Sequence, residues 1–164
     1  MTPEVVTIGV YGWLEELFFR ALVEARVDTF CDIRARRGVR GSEYTFANSQ
    51  RLQARLADLG IRYTHRKDLA PSPAARAGQQ FADSATRTPK RLRATLGPAF
   101  VDAYRRECLD GFDSAAFVAE LGPQARVVAL FCVEREPGAC HRSLLAERLT
   151  RDLGIRVTHM TPRR

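Results

Sequence analysis

The chain has 164 residues, with 26 Lys and Arg against 19 Asp and Glu, a formal net charge of +7. Its length suffices for one domain with a real core, residues 1–164, and its 45% apolar content is ordinary for a globular protein. No apolar run is long enough to span a bilayer, and the surplus of positive charge favours anionic partners. Met1-Thr2-Pro3-Glu4 lacks the basic and apolar regions of a secretory signal. The protein is therefore expected in the cytoplasm. Its cysteines, Cys31, Cys108, Cys132 and Cys140, are expected reduced: buried, metal-bound or reactive.

Residues 5–9 form a short β-branched run ending in Gly9, read as the first strand. From Trp13 to Arg26, apolar residues recur at helical spacing. Residues 27–34 read as the second strand, with Thr29, Cys31 and Ile33 on one side and Phe30, Asp32 and Arg34 on the other. Asn48 is placed to cap a helix over 49–59, which Gly60 ends. Residues 61–65 are the third strand. Residues 69–97 break the pattern, with Pro71, Pro73, Gly78, Pro89 and Gly97 among many Arg and Ala residues. That stretch reads as a basic insert: a lid, a binding loop or a disordered segment. Pro98 starts a helix through Leu109, and Asp113 caps another through Leu121. Residues 127–132 form a nearly all-apolar, buried strand. A helix after Cys140 runs to Gly154, and 155–160 are the last strand. Strands alternating with helices predict an α/β fold: a mainly parallel sheet flanked by helices on both faces, a three-layer sandwich.

The chemistry gathers at the ends of these strands, where ligands bind in parallel α/β sheets. Asp32 and Arg34 close strand two, Tyr63 and His65 strand three, and Cys132 and Glu134 the apolar strand. Tyr11 follows strand one, and His159 lies near the end of the last strand. Cys140-His141-Arg142 opens a helix just after Gly138, and a helix N-terminus attracts anions. Asp32 and Arg34 equally suit an ion pair that orders a loop. The two thiols are open to several readings: nucleophile, redox pair, buried packing, or zinc ligands with His141 and with Glu134 or His159. Their seven-residue gap is unlike a zinc knuckle, so no metal ligand is assigned and any cofactor is left unknown. In phosphotyrosine-phosphatase and rhodanese loops an Arg stands six residues after the Cys; here Gly138 does, which rejects a phosphatase. Arg87, Lys90, Arg91 and Arg93, with Arg66, Lys67 and Arg76, could track a phosphate backbone.

These residues together resemble the domain of unknown function 488 family of small bacterial and archaeal proteins. The resemblance runs from Thr7-Ile8-Gly9 through Asp32-Ile33-Arg34, Tyr44–Phe46 and Leu59-Gly60-Ile61-Arg62-Tyr63. It closes with Cys132-Val133-Glu134, Cys140-His141-Arg142 and Val157-Thr158-His159. The Cys-x-Glu…Cys-His-Arg element is its specific part. The chain departs from the family at Val10-Tyr11-Gly12 and at Leu69-Ala70-Pro71. The resemblance implies an α/β sandwich in the cytosol and brings no activity with it.

The functional expectation therefore rests on the residues: an anion-binding crevice for a phosphate-bearing ligand such as a nucleotide or nucleic acid. Arg34, Arg142 and the helix N-terminus would hold the anion, with Tyr11, Cys140 and His159 beside it. Asp32 or Glu134 would be the general base and His141 the acid or positioning group. Cys132 is the nucleophile if the chemistry is covalent. The alternatives are a non-catalytic nucleic-acid-binding module and a thiol- or metal-based sensor.

Overall fold

The structure, a computed structural model, describes residues 2–89 and 92–163. Five strands form one all-parallel sheet: β1 (Glu4–Ile8), β2 (Thr29–Asp32), β3 (Arg62–His65), β4 (Val127–Phe131) and β5 (Val157–Met160), in the order β3-β2-β4-β1-β5. The register pairs Asp32 with Phe131 and Ile8 with Phe131, so β2, β4 and β1 end level. Their polar extensions therefore emerge at one edge.

Alternation along the strands splits the core in two. On one face Phe30, Ala129 and Phe131 pack with Phe18, Phe19 and Leu22 of α1 (Glu15–Glu24) and with Leu52 and Leu56 of α2 (Ser49–Asp58). On the other, Cys31, Val128 and Leu130 pack under four helices: α3 (Pro73–Thr86), α4 (Pro98–Tyr104), α5 (Ser114–Leu121) and α6 (His141–Leu153). This is the expected three-layer α/β sandwich. The chain leaves β2 toward one face and β4, its neighbour, toward the other. Two connections that diverge in this way open a crevice between them.

Three local expectations change. Asn48 sits at the N-cap of α2, but its side chain makes no cap bond; Oδ1 accepts from the Val39 N–H at 2.8 Å and ties down the preceding loop. Residues 69–97 are not a loop throughout. Pro73–Thr86 is a helix, started by Pro73 and capped by Ser72, whose Oγ accepts from the Ala75 N–H. Gln79 anchors it from within, accepting from the Gly97 N–H at 2.8 Å. The helix that starts at Pro98 continues past Tyr104 as a π-helical turn over Arg105–Leu109. Asp113 does cap α5, accepting from the Ala116 N–H, and Gly154 closes α6 at φ 66°. No helix among the described residues is long and apolar enough to cross a membrane.

Gly9 is fixed by close approach: a Cβ there would lie 1.9 Å from the Glu134 carbonyl oxygen. Gly9→Ala should lower unfolding stability in urea by about 1–3 kcal/mol. Gly78→Ala, in α3 with nothing within 4 Å, should raise it by about 0.5–1 kcal/mol.

Candidate functional site

A cleft of about 990 Å³ opens at the carboxyl edge of the sheet. The segment after β2 and the turn after β4 form its floor, and α3 forms a wall.

Asp32 ends β2 and is fully buried. Residues i and i+2 of an extended chain share a side, which returns Arg34 to the carboxylate. Arg34 donates from Nε to Oδ1 and from Nη2 to Oδ2, each at 2.9 Å. Its own N–H adds a third bond to Oδ1, and Tyr63 Oη donates to Oδ2 at 2.7 Å. Tyr63 reaches Asp32 because β3 runs beside β2, with Phe30 opposite Tyr63 and stacked on its ring. Burial, together with this bond to Asp32, pushes the Tyr63 phenol up to about 12, so it stays a donor. The Arg34 guanidinium lies 4.6 Å over the Phe131 ring. Only Arg34 Nη1 is left, buried and without a hydrogen-bond partner among the described residues.

The turn after β4 is built over Arg142. This side chain is fully buried and donates from Nη1 to the Glu134 carbonyl at 2.6 Å and from Nη2 to the Arg135 carbonyl at 3.1 Å. The turn so held brings Cys132, Glu134, Cys140 and His141 to the cleft. Cys132 Sγ is 3.6 Å from Glu134 Oε2 and 3.5 Å from His141 Nδ1; Cys140 Sγ is 3.6 Å from the same nitrogen. Glu134 Oε1 is 3.5 Å from Arg93 Nη1, and Arg93 is itself gripped by Asp83 of α3. Residues after α3 also dock on the turn, where the Leu96 N–H donates to the Gly138 carbonyl.

The two turn thiols are unequal. Burial, Cys140 and Glu134 push Cys132 well above the ordinary thiol range. Burial opposes ionisation of Cys140 too, but the Cys132 hydrogen bond, His141 and Arg142 outweigh it and draw Cys140 well down. Deep burial pushes Cys31, in the core, up to about 12.

Of the residues singled out in the sequence, the fold brings Tyr11, Arg34, Cys132, Glu134, Cys140 and His141 to this cleft. Asp32 lies directly behind it, held by Arg34 and Tyr63. Two others go elsewhere. Arg142, read as an anion grip, faces the turn carbonyls and does not line the cleft. His159 pairs with Thr7 Oγ1 at 2.7 Å on the β1–β5 side and does not line it either. Of the basic cluster read in the sequence, Arg76, Arg87 and Arg93 line the cleft, Arg66 and Lys67 do not, and Lys90 and Arg91 lie outside the described residues.

An all-parallel α/β sandwich with a basic cleft at its strand ends is thus the class that the fold defines. The model of the family described as Domain of unknown function DUF488 matches residues 14–149, and the chain belongs to that family. No curated protein and no solved structure matches the chain significantly.

The Asp32–Arg34 pair predicts a specific stability loss. Asp32→Ala leaves a buried guanidinium without its counter-charge and should cost about 3–5 kcal/mol in urea unfolding. A loss below about 1 kcal/mol would show the pair to be dispensable.

Proposed function

We propose that the chain binds a phosphate-bearing ligand of nucleotide size in this cleft and acts on it there. The observation that carries this reading is Arg34 Nη1. Asp32 satisfies the other side-chain nitrogens, and this one is buried with no acceptor. A buried donor left unmade costs about 1–3 kcal/mol, and more when it is charged. A phosphate oxygen supplies an acceptor and a counter-charge together. Arg36, Arg76 and Arg87 line the same cleft and make no ion pair with a described residue. Tyr11, 5.3 Å from Tyr44, offers an aromatic surface for a base. In this reading Asp32 positions Arg34 and Glu134 is the acid–base group. His141 is a positioning group, because its Nε2 is committed to the Ile33 carbonyl at 2.9 Å.

Exposed Arg40 lines the cleft and exposed Arg37 extends the positive surface beyond it, which favours single-stranded nucleic acid as a second reading.

Calorimetry and thermal unfolding with inorganic phosphate, pyrophosphate, nucleoside phosphates and a short oligonucleotide test both. A specific ligand at a hundred times its Kd should stabilise the protein by about 2.7 kcal/mol. Arg34→Ala should abolish this effect. Arg76→Glu, a half-buried side chain in α3 that leaves the core intact, should weaken binding by about tenfold or more. Oligonucleotide binding that exceeds nucleotide binding and falls steeply with salt selects the second reading. No stabilisation by any of these ligands, or unchanged binding in both variants, overturns the proposal.

A further inference from the structure

The floor of the cleft holds an arrangement that anion binding does not require. His141 Nδ1 lies 3.5 Å from Cys132 Sγ and 3.6 Å from Cys140 Sγ. The ligand atoms of all three residues fall within 4.8 Å of one another, and all three residues are buried. His141 Nε2 is 2.9 Å from the Ile33 carbonyl oxygen. A carbonyl only accepts, so Nε2 carries a hydrogen, and Nδ1 is the ring nitrogen that faces the two sulfurs; a metal there would displace any proton on it. A backbone carbonyl that fixes one ring nitrogen while the other meets thiols is how proteins orient a metal-bound histidine. From these atoms we propose that Cys132, Cys140 and His141 bind one zinc ion, with the fourth coordination position open to the cleft.

The distances support a shared ion. Zn–S bonds of about 2.3 Å and Zn–N bonds of about 2.0–2.1 Å at tetrahedral angles place sulfur and nitrogen about 3.6 Å apart. Both sulfurs meet that spacing. Two thiolates and an imidazole select zinc over magnesium or calcium, which prefer oxygen. Three protein ligands with an open fourth position are the pattern of a zinc site that works on a bound molecule. Glu134 Oε2, 3.6 Å from Cys132 Sγ but outside the mutual set, stands next to that position. A water or a ligand oxygen would occupy it, with Glu134 to take the proton of the water. The residue spacing 132, 140, 141 is unlike a zinc knuckle because the turn over Arg142, rather than a short Cys pair, closes the site.

The site binds metal whether or not the anion reading holds; only its use on a phosphate-bearing ligand rests on that reading. The test is reconstitution of the untagged, reduced full chain with zinc, metal analysis after gel filtration, and a parallel cobalt titration. Expected are one bound equivalent, a thiolate-to-cobalt charge-transfer band and the intense visible bands of a tetrahedral site. Loss of an outer partner of a metal ligand costs about 10–100-fold in affinity, so Cys132→Ser and Cys140→Ser should each lose about 100-fold or more. Cys31→Ser should bind as wild type. Should the ligand variants unfold by circular dichroism, the wild-type cobalt spectrum decides. A weak octahedral spectrum overturns the proposal, as does wild type that retains no zinc, or Cys140→Ser that binds as tightly as wild type. A Cys132–Cys140 disulfide in anaerobically prepared protein also overturns it. The two readings fail separately. Protein that refuses zinc but binds nucleotides removes this inference alone; zinc-loaded protein indifferent to every phosphate-bearing ligand removes the anion reading alone.

Discussion

Arg142 occupies the space beneath the turn after β4, fully buried, and its contacts there are carbonyl groups rather than a carboxylate. A buried guanidinium without a carboxylate in contact is expensive, and only good hydrogen bonds offset the loss of hydration. Glu134 and Arg135 supply these to Nη1 and Nη2 through their carbonyls, while Nε is buried without a partner among the described residues, and Gly9 at the end of β1 leaves room for the Glu134 carbonyl to come down onto the guanidinium. The turn therefore takes its shape from a charge in its base. Cys132 and Glu134 lie on one limb of that turn, and Cys140 and His141 on the other. The same positive charge lies close enough to favour the thiolate form of Cys140. One side chain thus shapes the cleft floor and adds to the positive field that acts on its thiols.

The sheet supplies the other half of the site. Because β2 and β4 are adjacent but send their connections to opposite faces, the crevice between them needs no special loop to hold it open. Asp32 and Arg34 close the β2 side as a rigid bidentate pair, braced by Tyr63 from the next strand. Such a pair would be self-contained if every nitrogen were engaged. Nη1 is not, and it lies in the residue that lines the cleft. The arrangement therefore holds a positive donor in a fixed orientation beside a thiol–imidazole cluster.

Much of this was legible in the sequence, for identifiable reasons. Period-two alternation in residues 29–34 placed Cys31 and Phe30 on opposite faces, and they do lie in separate cores. The apolar run from Val127 is a central strand with a neighbour on each side. Arg142 was less legible because adjacent residues of a helix point about 100° apart. His141 at the start of α6 faces the cleft, so the next residue turns behind the turn, and composition alone does not give that rotation. Helix α3 was hidden because its buried positions are Ala75 and Gln79, while its largest apolar side chain, Phe81, is exposed. A small residue and an amide leave no apolar period to read. Tyr63 and Arg93 act through Asp32 and Glu134, far away in the chain, which only the fold brings close.

The central claim is that the unmatched nitrogen of Arg34 marks the place where a phosphate-bearing ligand is held. A crystal structure of the full chain grown with a non-hydrolysable nucleotide tests it directly. The account predicts a phosphate oxygen about 2.7–3.0 Å from Arg34 Nη1, between the chain leaving β2 and the turn after β4, with the Asp32–Arg34 pair unchanged. A nucleotide bound elsewhere, with Arg34 Nη1 satisfied by a protein carbonyl or an ordered water, would contradict it.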